Sequence, residues 1–275
     1  MFVTAKKSLG QNFLRSKSAL GKIVDAADLK KDDTVLEVGP GEGILTRRLL
    51  DGAGKVVAVE KDDGLISLLR EKFSGDIASG KLILVHSDIL DFDPKPNTLN
   101  EVPTSYKLVA NIPYYITGKF LRKFLSGASQ PSRMVLLLQK EVVDRIVARN
   151  GKESLLSLSV KAFGHPRVIA RVSADAFRPK PKVDSAILLI ENISHKLFKN
   201  SEEELNFFKI IHAGFAHKRK KLTSNLKAAL RIDLADTFSK CGIHENSRSE
   251  DLLLTDWLCL NNQLSTQTPA VVTPI

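Results

Sequence analysis

Cysteine is nearly absent: Cys241 and Cys259 are the only two in 275 residues. Two unclustered thiols offer neither a disulfide framework nor a zinc site, so idle thiols in a reducing compartment are expected. His86, His165, His212, His217 and His244 show no ligand spacing, and no metal is expected. Long apolar runs are missing too. None approaches the ~18 residues that cross a bilayer, and the opening from Met1 to Lys7 lacks the apolar stretch of a signal peptide. The expectation is a cytoplasmic protein with no membrane partner. Acid is the other shortage. Lys and Arg number 41 against 31 Asp and Glu, a formal charge of +10, and no acid lies between Leu205 and Arg231. Such an excess favours a polyanion: RNA, DNA or an anionic surface.

Short apolar runs alternate with segments of helical period. Strands are expected at Thr34–Val38, Lys55–Glu60, Lys81–His86, Tyr106–Ala110, Met134–Leu138, Val168–Val172 and Ser185–Ile190. Helices are expected at Ala19–Ala27, Leu45–Leu50, Leu65–Phe73, Lys119–Leu125 and Lys140–Ala148. Strands that are nearly all apolar imply a parallel sheet covered on both faces, an α/β fold. Pro94–Asn100 reads as a surface loop. From Ser201 the pattern is helical only, over Glu202–Phe215, Lys218–Leu230, Leu234–Cys241 and Ser249–Leu260. The expected division is an α/β domain over 1–200 with a basic N-terminal arm, a small all-helical domain over 201–262, and a disordered tail over 263–275.

Ligands in such sheets bind beyond the carboxyl ends of the strands. There the first run enters Gly39-Pro40-Gly41-Glu42-Gly43, where glycines allow a tight turn and a close ligand. The wider last gap of a dinucleotide fingerprint is missing, and so is the Lys-Ser/Thr pair of a phosphate loop. Glu60 ends the second run, placed to accept from ribose hydroxyls and to repel a phosphate. Asp88 follows the third, placed to accept from an adenine amine, with Ile89 and Leu90 against the base. Together these favour a nucleoside without phosphate over a nicotinamide dinucleotide. The fourth run ends in Asn111-Ile112-Pro113-Tyr114, an amide, a fixed backbone and an aromatic ring suited to holding a flat, amine-bearing ring.

Seven segments occur in order: Gly10-Gln11-Asn12-Phe13-Leu14, Glu37-x-Gly39-x-Gly41-x-Gly43, Glu60, Asp88, Asn111-Ile112-Pro113-Tyr114, Phe177-x-Pro179-x-Pro181-Lys182-Val183-x-Ser185-Ala186, and Gly214 to Leu222. With them the sequence resembles the S-adenosylmethionine-dependent methyltransferases, and more narrowly the ribosomal RNA adenine dimethyltransferase family, over roughly residues 6 to 260. The family more often carries Leu at the position of Ile112. The resemblance implies a Rossmann-like seven-stranded sheet with one reversed strand and a C-terminal helical domain. It implies cofactor contacts by Gln11, Asn12, Leu14, Gly39, Glu60, Asp88 and Asn111, to which the glycine turn adds Gly41 and the base pocket adds Ile89.

The implied reaction moves methyl groups from S-adenosyl-L-methionine to the amines of two adjacent adenines in a hairpin near the 3′ end of small-subunit rRNA, within an immature 30S-type subunit. The Asn111 oxygen and a main-chain carbonyl near Pro113 or Ile112 would accept from the adenine amine. Tyr114 would stack on the extruded base and Phe177 on its other side. Arg178, Lys180, Lys182, Lys218, Arg219, Lys220 and Lys221 would meet RNA phosphates. A monomer is expected. The competing readings are a large-subunit methyltransferase conferring macrolide-type resistance, and a non-catalytic RNA- or DNA-binding factor on the same fold.

Overall fold

The structure, a computed structural model, describes Lys6, residues 10–94 and residues 105–265. The strands are β1 (Phe13–Leu14), β2 (Thr34–Val38), β3 (Lys55–Glu60), β4 (Leu82–His86), β5 (Lys107–Asn111), β6 (Arg133–Gln139), β7 (His165–Val172), β8 (Phe177–Arg178) and β9 (Ser185–Glu191). Seven of them form one sheet in the order β4-β3-β2-β5-β6-β9-β7. The pairings from β4 through β6 are parallel, and β9 runs antiparallel to both its neighbours. One reversed strand is what the resemblance implies. The short β1 and β8 pair separately, Leu14 opposite Phe177.

Helices α1 (Lys17–Ala27), α2 (Ile44–Gly52), α3 (Asp63–Lys72), α4 (Ser74–Ala78), α5 (Thr117–Leu125) and α6 (Lys140–Ile146) connect these strands. β2 and β3 are buried along almost their whole length, which is why their sequences show no alternation. Each fully buried Val or Leu there contributes about 1.5–3 kcal/mol. Local signals set the helix starts. The Ser16 side chain accepts from the Ala19 N–H to begin α1, and Asp62 accepts from the Gly64 N–H to begin α3.

The chain divides into two compact units, Met1–Asp144 with Gly164–Ser194, and Arg145–Phe163 with His195–Ile275. The second holds α7 (Leu155–Lys161), α8 (Ser201–Gly214), α9 (Leu222–Leu230), α10 (Ala235–Lys240) and α11 (Leu254–Ser265). This departs from a single boundary after residue 200. Phe163 stacks on Phe208 with ring centroids 5.7 Å apart, and the Glu153 N–H donates to the Glu250 carbonyl at 2.8 Å. Residues 145–163 thereby join the helices rather than the sheet. Neither α4 nor α7 is expected from periodicity; α7 is short and serine-rich, and a Ser154–Ser157 capping box starts it.

Three further expectations are corrected. Lys218–Lys221 is not the first turn of a helix but a loop before α9. Gln263, Leu264 and Ser265 belong to α11, not to a tail; the rest of the expected tail and residues 95–100 of the expected surface loop lie outside the described residues. Cys241 and Cys259 are not idle thiols but form a disulfide, because α10 packs on α11 and brings together two residues the sequence separates.

Candidate active site

The strand order places β2 beside β5 at the centre, with β3 and β4 on one side and β6 on the other. The chain therefore switches direction between β2 and β5, and a crevice opens beyond their carboxyl ends. A cavity of about 290 Å³ lies there. Gln11, Asn12, Gly39, Gly41, Glu60, Asp88, Ile89, Asn111 and Pro113 all line it. Four strand ends and the arm thus bring the expected nucleoside-binding residues to one place.

Two expected residues are not there. Phe177 is 1 % exposed, packs in the same apolar cluster as Leu14, and does not line the cavity. Its partner in the β1–β8 ladder is Leu14, so both bolt the arm to the body through buried side chains. The Leu14 side chain is buried in the same cluster, beside a smaller pocket that it lines with Gly39, Gly41 and Asn111. The side chain of Tyr114 lies outside the described residues. Sequence reasoning missed Tyr115, which lines the cavity mouth at 68 % exposure, and Lys61 and Lys119, which line it as well. An aromatic one residue past the motif was the available signal for Tyr115.

Glu60 is buried and accepts from three main-chain N–H groups, those of Gly41 at 3.2 Å and of Lys61 and Asp62 at 2.9 Å. Burial raises its pKa, and these donors limit the rise. Asp88 accepts from Lys61 Nζ at 2.7 Å and the Leu90 N–H at 2.9 Å. Burial opposes its charge, but Lys61 and Leu90 outweigh it and hold the carboxyl below its ordinary value. The Asn111 Nδ2 donates to the Asn12 carbonyl at 3.1 Å, and among the described residues Oδ1 has no donor. The Pro113 carbonyl accepts from the Ile116 N–H at 3.3 Å.

Glu37, behind the glycine turn, is fully buried. Burial pushes its carboxyl up to about 8; the Thr46 hydroxyl opposes this and the Glu60 charge adds to it. A raised acid holds a proton in the folded state that the unfolded chain releases above about 4.5. Stability should therefore fall as pH rises from about 4.5 to about 8 and level off above. Glu37→Gln removes this loss. Its melting temperature should exceed the parent's at pH 8.5 and match it near pH 5; identical pH profiles would refute the assignment.

Arg178, Lys180 and Lys182 are exposed, and Lys180 pairs with Asp175 at 2.7 Å. In the helical unit, Lys218, Arg219, Lys220 and Lys221 are exposed on the loop between α8 and α9. Buried Asn225 fixes that loop by donating to the Gly214 carbonyl at 2.6 Å and the His217 carbonyl at 3.1 Å. Among the described residues no helix is long and apolar enough to cross a membrane.

Glycines at a first strand end, carboxylates beyond the next two and no phosphate loop suit a nucleoside cofactor free of phosphate. On a seven-stranded sheet with one reversed strand, that is the framework of a Rossmann-like methyltransferase, and the chain is an enzyme of this class. The profile of the family described as ribosomal RNA adenine dimethylase matches residues 3–266, and the chain belongs to that family. A Dehalococcoides mccartyi protein named ribosomal RNA small subunit methyltransferase A is 46 % identical over 261 residues, covering 93 % of this chain and 88 % of its own. A Clostridium botulinum protein of the same name is 36 % identical over 256 residues, covering 91 % and 90 %. Among solved structures, a dimethyladenosine transferase from Plasmodium falciparum superposes with a TM-score of 0.78 at 26 % identity, covering 93 % and 98 %. The 23S rRNA methyltransferase ErmE superposes with a TM-score of 0.76 at 27 % identity, covering 92 % and 100 %.

Proposed function

We propose that this enzyme dimethylates the exocyclic amines of two adjacent adenines in a hairpin near the 3′ end of small-subunit rRNA, within an immature small subunit in the cytoplasm. The small-subunit target follows the 46 % and 36 % relatives rather than the 27 % structural neighbour. The cavity suits S-adenosylmethionine, which supplies an electrophilic methyl group on a sulfonium. Glu60 is placed for the ribose hydroxyls and Asp88 for the adenine amine, with Ile89 against the base. Gly39 and Gly41 leave the turn without side chains where the ligand approaches. Gln11, Asn12 and Asn111 complete the wall.

The observation that carries this reading is the oriented amide of Asn111. An adenine amine is a poor nucleophile because its lone pair is delocalised into the ring. With Nδ2 committed to the Asn12 carbonyl, Oδ1 can accept one amine N–H. The Ile112 carbonyl is the candidate for the other, since the Pro113 carbonyl already accepts from Ile116 with one of its two lone pairs. Two acceptors draw the nitrogen toward a pyramid and aim its lone pair. Both are set before the base arrives, so little reorganisation is needed. An amide does not take up a proton at neutral pH, so the surplus proton leaves to water. Stacking is assigned to Tyr114 and, on the other side of the base, to Phe177, with Tyr115 at the cavity mouth. The test is mass spectrometry of immature small subunits incubated with enzyme and S-adenosylmethionine: two adjacent dimethyladenosines are expected, and unmodified RNA refutes the reading.

The exposed loop Lys218–Lys221 and, separately, Arg178, Lys180 and Lys182 are assigned to RNA phosphates. The Lys218→Ala/Arg219→Ala/Lys220→Ala variant should weaken RNA binding and flatten its salt dependence. Removing one cation from a phosphate lowers the log–log slope by about one. Titrations between low and physiological salt check this, and an unchanged slope would remove the loop from the interface.

A further inference from the structure

The arm carrying Gln11, Asn12 and Phe13 forms one wall of the cavity, yet β1 contributes only a two-residue ladder. Other interactions hold it. At one end the Arg15 guanidinium grips Glu42 at 2.6 and 2.8 Å, and the Arg15 N–H donates to the Ala176 carbonyl at 2.7 Å. In the middle Asn111 holds the Asn12 carbonyl. At the far end two arm side chains converge on one carboxylate. Lys6 Nζ donates to Asp62 Oδ1 at 2.9 Å, and Gln11 Nε2 donates to Asp62 Oδ2 at 2.9 Å. The Lys6 N–H also donates to Gln11 Oε1 at 2.7 Å.

Asp62 is buried and is not a wall of the cavity. It stands two residues after Glu60, and its own N–H donates to Glu60 Oε1 at 2.9 Å. The strand-end turn that offers a carboxylate to the ribose therefore also grips the arm above it. We propose that Asp62 is a positioning residue that clasps the N-terminal arm over the cofactor cavity, so that cofactor binding at Glu60 and closure of the arm reinforce each other. The proposal rests on the assignment of S-adenosylmethionine to this cavity. Burial opposes the Asp62 charge, but Lys6, Gln11 and the Gly64 N–H hold the carboxyl below its ordinary value, so it grips as an anion. Without the clasp, Gln11 loses the acceptor of its Nε2, and the wall from Gly10 to Asn12 is freed at one end. Asn111 stays at the end of β5 with Ile112 next to it, and Asn12, on the side of the arm still held through Arg15, keeps its carbonyl on the Asn111 Nδ2, so the chemical step is spared.

A purely structural role is also open to Asp62, because it caps α3 through the Gly64 N–H at 2.9 Å. The Asp62→Ser variant separates the two roles. Serine keeps an N-cap acceptor but is too short and uncharged to hold Lys6 and Gln11. Calorimetric titration with S-adenosylmethionine should show affinity weakened about tenfold, the scale of about 1.4 kcal/mol, with KM for the cofactor rising in parallel. Saturated kcat and melting temperature should hold near parental values. Should Asp62→Ser not fold, Asp62→Asn, also a sound N-cap, carries the same test. In the parent enzyme, saturating cofactor should slow tryptic cleavage after Lys6, and neither variant should show that protection. Parental affinity in the variants, or equal protection in all three proteins, overturns the clasp alone. A parent that does not bind S-adenosylmethionine overturns the cofactor assignment with it.

Discussion

Replacing Asn111 with alanine is expected to slow methyl transfer by about 10²–10³-fold, the usual cost of removing one preorganised polar group from a reacting centre. Cofactor affinity should change by only a few-fold. The asymmetry follows from where the amide sits. Asn111 is the last residue of β5, held in register opposite Leu137 of β6, so its position does not depend on a ligand. Its nitrogen is committed to the arm, and its oxygen is the acceptor proposed for the incoming amine. Alanine removes both, but the arm keeps its grips at Arg15 and Asp62, and the carboxylates of Glu60 and Asp88 are untouched. Single-turnover rates with immature subunits, set beside calorimetric affinity for S-adenosylmethionine, give the comparison. Equal losses in the two would make Asn111 chiefly a cofactor ligand and remove the basis of the proposed amine alignment.

The sheet was legible because its inner strands are apolar on both faces. Thr34–Val38 and Lys55–Glu60 are found with the expected bounds, and the remaining sheet strands differ from expectation by a few residues at their ends. The strand-end residues Gly39, Glu60, Asp88 and Asn111 were legible for the same reason: once the strands are placed, the site lies at their carboxyl ends. What stayed hidden depends on neighbours distant in sequence. Nothing local marks Phe177 as a residue buried at the foot of the arm. The burial comes with Leu14, more than 160 positions earlier, which takes it into a two-residue ladder. The placing of residues 145–163 with the helices rests on Phe163 meeting Phe208, and the disulfide on α10 meeting α11. Lys218–Lys221 holds no glycine or proline to mark it as a loop; Asn225 from the following helix fixes the turn.

Gly43→Ala and Gly41→Ala are expected to fail in different ways, although the two glycines stand two apart in one motif. Gly43 has φ +76° and caps α2. A Cβ there would lie 2.4 Å from Phe73 Cε2 and 2.9 Å from Leu69 Cδ2, both in the buried core. The left-handed backbone costs about 1–2 kcal/mol for alanine, and overpacking a filled core costs about 1–3 kcal/mol more. For a unit of this size the sum corresponds to a melting temperature about 10 °C lower. Gly41 also has positive φ, at +57°, but its Cβ would meet the Phe13 ring at 3.0 Å, a half-buried side chain on the arm that can yield. Gly41 lines the cavity, and its N–H donates to Glu60 Oε2, so distortion there reaches the proposed cofactor site directly. Gly41→Ala should therefore melt within a few degrees of the parent and lose cofactor affinity. Gly43→Ala should melt early and, at temperatures where it is folded, bind S-adenosylmethionine nearly as the parent does. Thermal melts paired with calorimetry distinguish the two, and a Gly43→Ala protein of parental stability but impaired cofactor binding would show that the third glycine faces the ligand after all.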